Sequence, residues 1–164
     1  MHHKKTLLSG GDGRTNATGK TYLLEENTWN DTKYGQLKIP RNKHACAEYN
    51  GKVYVIGGRN EQNPAGLRSV EILDVESGSW SDGANLPQTL FDSMAINYHG
   101  QLYLLGGSNS DGKILHLDPI SDNWIRIGTT GSKRSRSWLP GQMIQAKDCS
   151  PSIGMFCIIL KWTK

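Results

Sequence analysis

The sequence predicts an all-β fold assembled from a repeated unit of about 50 residues. Two observations predict it. Tyr54-Val55-Ile56-Gly57-Gly58 and Tyr103-Leu104-Leu105-Gly106-Gly107 repeat one phrase 49 residues apart, and Leu7-Leu8-Ser9-Gly10-Gly11 supplies another copy 47 residues upstream. The two later copies each follow a turn, Asn50-Gly51 or His99-Gly100, and precede an acidic hairpin that closes on tryptophan. A chain that repeats in this way is a scaffold of similar units rather than one compact site.

The elements follow in order within each unit. Lys52–Ile56 and Gln101–Leu105 are short runs rich in branched and aromatic side chains, the pattern of buried strands. Asn50-Gly51 is a favoured pair for a type I′ turn, because both positions need positive φ. Ala45–Tyr49 and Met94–Tyr98 therefore fold back as antiparallel partners, and the small Ala45, Ala47 and Ala95 suit an inner strand crowded near an axis. The glycine doublets let the backbone leave the strand at angles other residues resist. In the second half, Asp74-Val75-Glu76-Ser77-Gly78-Ser79-Trp80 answers Asp118-Pro119-Ile120-Ser121-Asp122-Asn123-Trp124. Tyr22 stands seven residues before Trp29, as Leu73 does before Trp80 and Leu117 before Trp124. Tyr22, Leu73 and Leu117 are read as equivalent on that spacing, and the three tryptophans are expected to pack between neighbouring units.

With these features in register over residues 7–127, the chain resembles the kelch family. The doublets Gly10-Gly11, Gly57-Gly58 and Gly106-Gly107 and the tryptophans carry the resemblance, and Ile39-Pro40-Arg41 and Leu86-Pro87 sit where kelch repeats place a proline before the inner strand. The later two copies lack the motif tyrosine, and no arginine in the third answers Arg41. The resemblance implies a β-propeller with one blade per copy. A closed ring of four to eight blades needs about 200 to 400 residues, and this chain has 164. The expected fold is an incomplete propeller: a partial blade over 1–34, full blades over 35–84 and 85–127, and a non-repeat tail over 128–164. The first blade starts at its doublet strand, so its inner strand is expected to be missing. In the tail, Met155–Leu160 offers one strand. Such an arc is either a fragment or is completed by self-association.

The net charge of +4 belongs to the tail. Residues 128–164 carry six basic side chains against Asp148, whereas the other 127 residues carry 13 basic and 14 acidic ones. The basic pI is therefore no sign of a nucleic-acid face on the blades. Lys133-Arg134-Ser135-Arg136 reads as a solvated loop, and the apolar stretch near the C-terminus is too short to span a bilayer. The polar start Met1-His2-His3-Lys4-Lys5 offers no secretory signal. Three cysteines form no even framework, so Cys46 reads as a small buried hydrophobe in a reduced, cytoplasmic setting.

Catalytic and metal constellations are not expected. His44, His99 and His116 are scattered, and the repeated acids Glu25, Glu26, Asp74, Glu76, Asp118 and Asp122 occupy equivalent turns, which marks them as architectural. No Gly-Lys-Ser/Thr follows the doublets, so they are not phosphate loops. The copper ligands of kelch-type sugar oxidases have no counterpart here, and no cofactor is expected. Function is placed instead on the loops after the doublets, which do not repeat and must emerge on one rim. The candidate contacts for a protein or peptide partner are Arg59, Asn60, Arg68, Ser108, Asn109, Asp12 and Arg14, with arginine favoured because its fork grips carboxylates with defined geometry. The resemblance to BTB–kelch and F-box–kelch proteins implies substrate capture for a ubiquitin ligase. A piece of a kelch-type enzyme, such as a sugar oxidase or a sialic-acid isomerase relative, and a fragment with no activity of its own are the alternatives.

Overall fold

The computed structural model describes residues 6–12 and 16–130, and the backbone of 157–160. Every regular element among them is a strand: β1 (Thr6–Ser9), β2 (Thr21–Glu25), β3 (Thr28–Asn30), β4 (Ala45–Tyr49), β5 (Lys52–Ile56), β6 (Val70–Asp74), β7 (Trp80–Gly83), β8 (Met94–Tyr98), β9 (Gln101–Leu105), β10 (Lys113–Asp118), β11 (Asn123–Thr129) and β12 (Cys157–Leu160). They form three four-stranded antiparallel sheets, β12-β1-β2-β3, β4-β5-β6-β7 and β8-β9-β10-β11. These are successive blades of a propeller-type arc.

The turns form as their residues dictate. Asn50 and Gly51 have φ of 50° and 75°, and His99 and Gly100 of 50° and 72°, the left-handed pair of a type I′ turn. Asp74 accepts hydrogen bonds from the N–H groups of Glu76 and Ser77, and Asp118 from those of Ile120 and Ser121. These bonds hold both carboxylates below the ordinary range, Asp74 chiefly through the Ser77 N–H and Asp118 chiefly through the Ser121 hydroxyl. The acidic hairpins are thus built by their own acids, as their repetition implies.

Several expectations change. The first blade has an inner strand after all: β12, from the tail, pairs with β1 from Thr6↔Leu160 to Ser9↔Cys157. Sequence distance hid it. Tyr22 is not the counterpart of Leu73 and Leu117; Leu24 is, because Leu24 faces Trp29 as Leu73 faces Trp80 and Leu117 faces Trp124. The first hairpin turns on only Glu26 and Asn27, both at positive φ, so its strands are two residues closer along the chain. Cys46 is disulfide-bonded rather than a free small hydrophobe. The third blade also runs to Thr129, two residues past the expected boundary.

Two cores lie between the blades. One joins blades 1 and 2 through Leu7, Leu23, Tyr34, Leu37, Val53, Val55 and Leu73. The other joins blades 2 and 3 through Ile56, Val70, Leu86, Leu90, Leu102, Leu104, Leu115 and Leu117. Tryptophan seals each seam: Trp80 Nε1–H donates to the Gly35 carbonyl (2.8 Å), and Trp124 Nε1–H to that of Ala84 (3.1 Å). Trp29 does not pack between blades, being 46% exposed. No neighbouring blade precedes it among the described residues.

Candidate functional site

The doublets place the rim. Gly11 N–H donates to the Arg41 carbonyl and Gly58 N–H to that of Leu90, both at 2.8 Å, so the second glycine of one blade holds the approach to the next inner strand. A Cβ on Gly57 would stand 2.4 Å from the Leu90 oxygen, which together with its φ of 61° requires glycine there. Behind the second and third doublets the chain bridges the approach segment of its own blade, Asn42↔Arg59 and Phe91↔Ser108, while behind the first it bridges within the loop, Asp12↔Ala17. The post-doublet loops therefore emerge side by side.

A charged pair lies beneath this rim in blade 2. Arg41 and Glu71 meet at 2.6 Å with side chains 0% and 1% exposed. Arg41 also donates to the carbonyls of Ile39, Gly57 and Ser69 and to the Ser69 hydroxyl. Glu71 accepts the N–H groups of Lys38 and Ile39. Burial lowers the Arg41 pKa and Glu71 opposes that shift, and the dense bonding offsets the cost of burying two charges. This pair escaped the sequence reading, although a glutamate inside the apolar run Val70-Glu71-Ile72-Leu73 is its signal.

His44 follows at the start of β4. The residue as a whole is partly exposed, but both ring nitrogens are buried and among the described residues neither makes a well-formed hydrogen bond, only weak approaches to the Ser9 and Arg41 backbone that oppose the shift. The nitrogens are what titrate, so their burial governs. Burial first, then the Arg41 charge, pushes the His44 pKa down to about 4.

The expected contact residues divide sharply. Asn60 is buried: its amide donates to the Pro40 carbonyl (2.8 Å) and its oxygen accepts from Asn63 (2.8 Å), so it fastens the loop and is unavailable to a partner. A short side chain directly after the bridge folds inward, which residue type alone did not reveal. Asp12 is exposed but accepts from the Asn42 amide across the first seam. Glu61 reaches back over that seam to the Ala17 N–H (2.9 Å). Asn109 is exposed and donates to the Ala65 carbonyl (2.9 Å) across the second seam. Ser108 is half-buried and bonds Phe91 through its backbone. Arg14 lies outside the described residues.

Arg59 and Arg68 are different. The Arg59 guanidinium lies 5.2 Å from the Phe91 ring centre, a cation–π contact across the second seam. Arg68 is exposed, and among the described residues its side chain donates only through Nε, to the Leu86 carbonyl (2.7 Å). Nearby Lys43 pairs with Asp92 and Lys113 with Asp111, both at 3.8 Å. Among the described residues neither Arg59 nor Arg68 has a carboxylate partner. Also among the described residues, no three of His, Cys, Asp or Glu are grouped to hold a metal ion, and no helix is long and apolar enough to cross a membrane.

Residues 40–87, which span the approach segment, doublet, acidic hairpin and tryptophan of blade 2, match the family model described as the Kelch motif. The chain belongs to the kelch-repeat family. It is similar to alpha-scruin of Limulus polyphemus, 26% identical over 152 residues, covering 82% of this chain and 16% of that one. An F-box/kelch-repeat protein of Arabidopsis thaliana is 32% identical over 136 residues, covering 76% of this chain and 32% of its own. Mouse kelch-like protein 35 is 32% identical over 102 residues, covering 60% of this chain and 17% of that one. The kelch chain thus spans a third or less of the length of these relatives.

Proposed function

We propose that this kelch arc is a protein-interaction module that takes an acidic segment of a partner protein across the second blade seam. The observation that carries the reading is the pairing pattern on the rim. Its described lysines and acids are engaged with one another, with the Asn42 amide or with backbone, while among the described residues Arg59 and Arg68 meet no carboxylate. Phe91 and the Leu86 carbonyl hold the two guanidinium groups in place, so little side-chain freedom is lost on binding. Kelch-like and F-box/kelch relatives support an interaction role. Within a longer adaptor of a ubiquitin ligase, this part would read the substrate.

The test is a titration of an aspartate- and glutamate-rich peptide against the full chain, with a serine-substituted peptide as control. Each charge-assisted contact contributes about 1.5–3 kcal/mol, so Arg59→Ala with Arg68→Ala is expected to weaken binding by tenfold or more at an unchanged unfolding midpoint. Binding should also weaken with salt, because both arginines meet solvent. Equal affinity of the folded double variant would refute the assignment.

A further inference from the structure

Cys46 is disulfide-bonded, and the sequence offers it two other cysteines, Cys149 and Cys157. Cys46 lies on β4, the inner strand of blade 2, and belongs to the core of the first seam. Cys157 begins β12, the inner strand of blade 1, whereas Cys149 lies outside the described residues.

The repeat distinguishes the two candidates. Cys157 pairs with Ser9, Ala45 with Ile56 and Met94 with Leu105, and Ser9, Ile56 and Leu105 each stand directly before a glycine doublet. Cys157 therefore holds in blade 1 the place that Ala45 holds in blade 2. One register step away, Cys46 pairs with Val55 and Ala95 with Leu104, so Cys46 in blade 2 matches Ala95 in blade 3. At the second seam Ala45 and Ala95 enter one core from the two neighbouring inner strands, 5% and 2% exposed. The first seam sets Cys157 and Cys46 at those same two places, and β12 lies against β4 as β4 lies against β8. A disulfide has a short reach, with Cβ atoms about 3.5–4.5 Å apart, and matched places on adjacent inner strands meet that demand. Ser9 and Thr21, joined hydroxyl to hydroxyl at 3.0 Å and each 1% exposed, stand where Ile56 and Val70 stand in blade 2. This row of the first seam carries less apolar bulk than its counterpart, and a covalent bond supplies the hold that packing does not.

We infer that Cys46 is bonded to Cys157 and that the bond is a redox latch on β12. The strand is four residues long, and residues 130–156 separate it from β11. Ordering so short a strand across that length of chain carries a loop-closure cost, which a cross-link to blade 2 lowers. A dithiol reductant undoes the latch. One of its thiolates attacks a sulfur of the pair and releases the other, and its second thiol then resolves the mixed disulfide. Cys46 and Cys157 each gain one electron and one proton, and the reductant leaves as a disulfide. β12 is then free to part from β1, which becomes an edge strand. The latch does not depend on what the rim binds.

Two measurements on the full chain test this. Free thiols are alkylated, and cyanogen bromide, which cuts after Met155 and so parts Cys149 from Cys157, is followed by trypsin without reductant. The expected product is residues 44–52 joined to residues 156–161, with Cys149 alkylated. Residues 44–52 joined to the Cys149 peptide, or Cys46 alkylated, overturns the assignment. Amide exchange of β12 is then followed with and without dithiothreitol. It is expected to quicken tenfold or more on reduction, while β9 keeps its protection. Cys46→Ala, which repeats the residue found at the Ala95 place, is expected to show the fast rate in both conditions. A β12 equally protected before and after reduction, a β12 still protected in Cys46→Ala, or a β9 that opens with it overturns the latch.

Discussion

Blades 2 and 3 fill the same two places with opposite chemistry. Arg41 and Leu90 are equivalent, since each offers its carbonyl to the preceding doublet, and Glu71 and Leu115 are equivalent through their pairing with Val55 and Leu104. One blade holds a buried ion pair, the other two leucines, and both residues of each pair are at most 3% exposed. The repeat conserves volume and burial at these places, not polarity. A charged pair there is a geometric clamp, since Arg41 alone ties Ile39, Gly57 and Ser69 to Glu71. A leucine pair supplies burial without direction.

Breaking one half of the clamp tests this most severely. Glu71→Leu strands a buried guanidinium and is expected to cost about 3–5 kcal/mol, whereas Arg41→Leu with Glu71→Leu should recover most of that loss. Urea unfolding of the two variants reads the difference. The reciprocal change, Leu115→Glu, should be as damaging in blade 3, with partial rescue by Leu90→Arg.

His44 sharpens the comparison, because Ser93 takes its place before β8 and cannot titrate. The folded-state pKa of His44, about 4, lies below the ordinary 6.5, so the unfolded chain binds the extra proton first. Its contribution is complete above pH 6.5 and is lost as pH falls from there toward 4, roughly 3 kcal/mol in all. Unfolding free energies across that window should flatten in His44→Ser. An unchanged slope would mean the imidazole is not the group that titrates.

The smallest effect concerns the seals. Trp124→Phe leaves the Ala84 carbonyl without its donor and should cost about 1–3 kcal/mol, and Trp80→Phe a similar amount at Gly35. Trp29→Phe, at an open face, should be nearly neutral in a dilute, monomeric sample. Thermal midpoints of the three variants rank them directly.

Much of this frame is legible in the sequence, and the reason is local. Doublets, type I′ turns and acid-anchored hairpins are specified by residues within a few positions of one another, so Gly57-Gly58, Asn50-Gly51 and Asp74 announce themselves. What is not legible depends on contacts between distant segments or on loop length. β12 pairs with β1 from the far end of the chain. Leu24 replaces Tyr22 as the match to Leu73 because one turn is two residues shorter. The disulfide at Cys46 could not be read from three cysteines without a regular spacing. On the rim, loop position was legible but side-chain availability was not: Asn60 turns inward to Pro40, while Arg59 and Arg68 stay outside.

The buried Arg41–Glu71 clamp holds the frame, and the proposed partner contact falls on two rim arginines apart from it. The direct test is one acidic-peptide titration carried out on Arg41→Leu/Glu71→Leu and on Arg59→Ala/Arg68→Ala. The clamp variant is expected to bind within about threefold of the native chain, and the rim variant at least tenfold more weakly at an equal unfolding midpoint. Loss of binding in the clamp variant with full binding in the rim variant would contradict it.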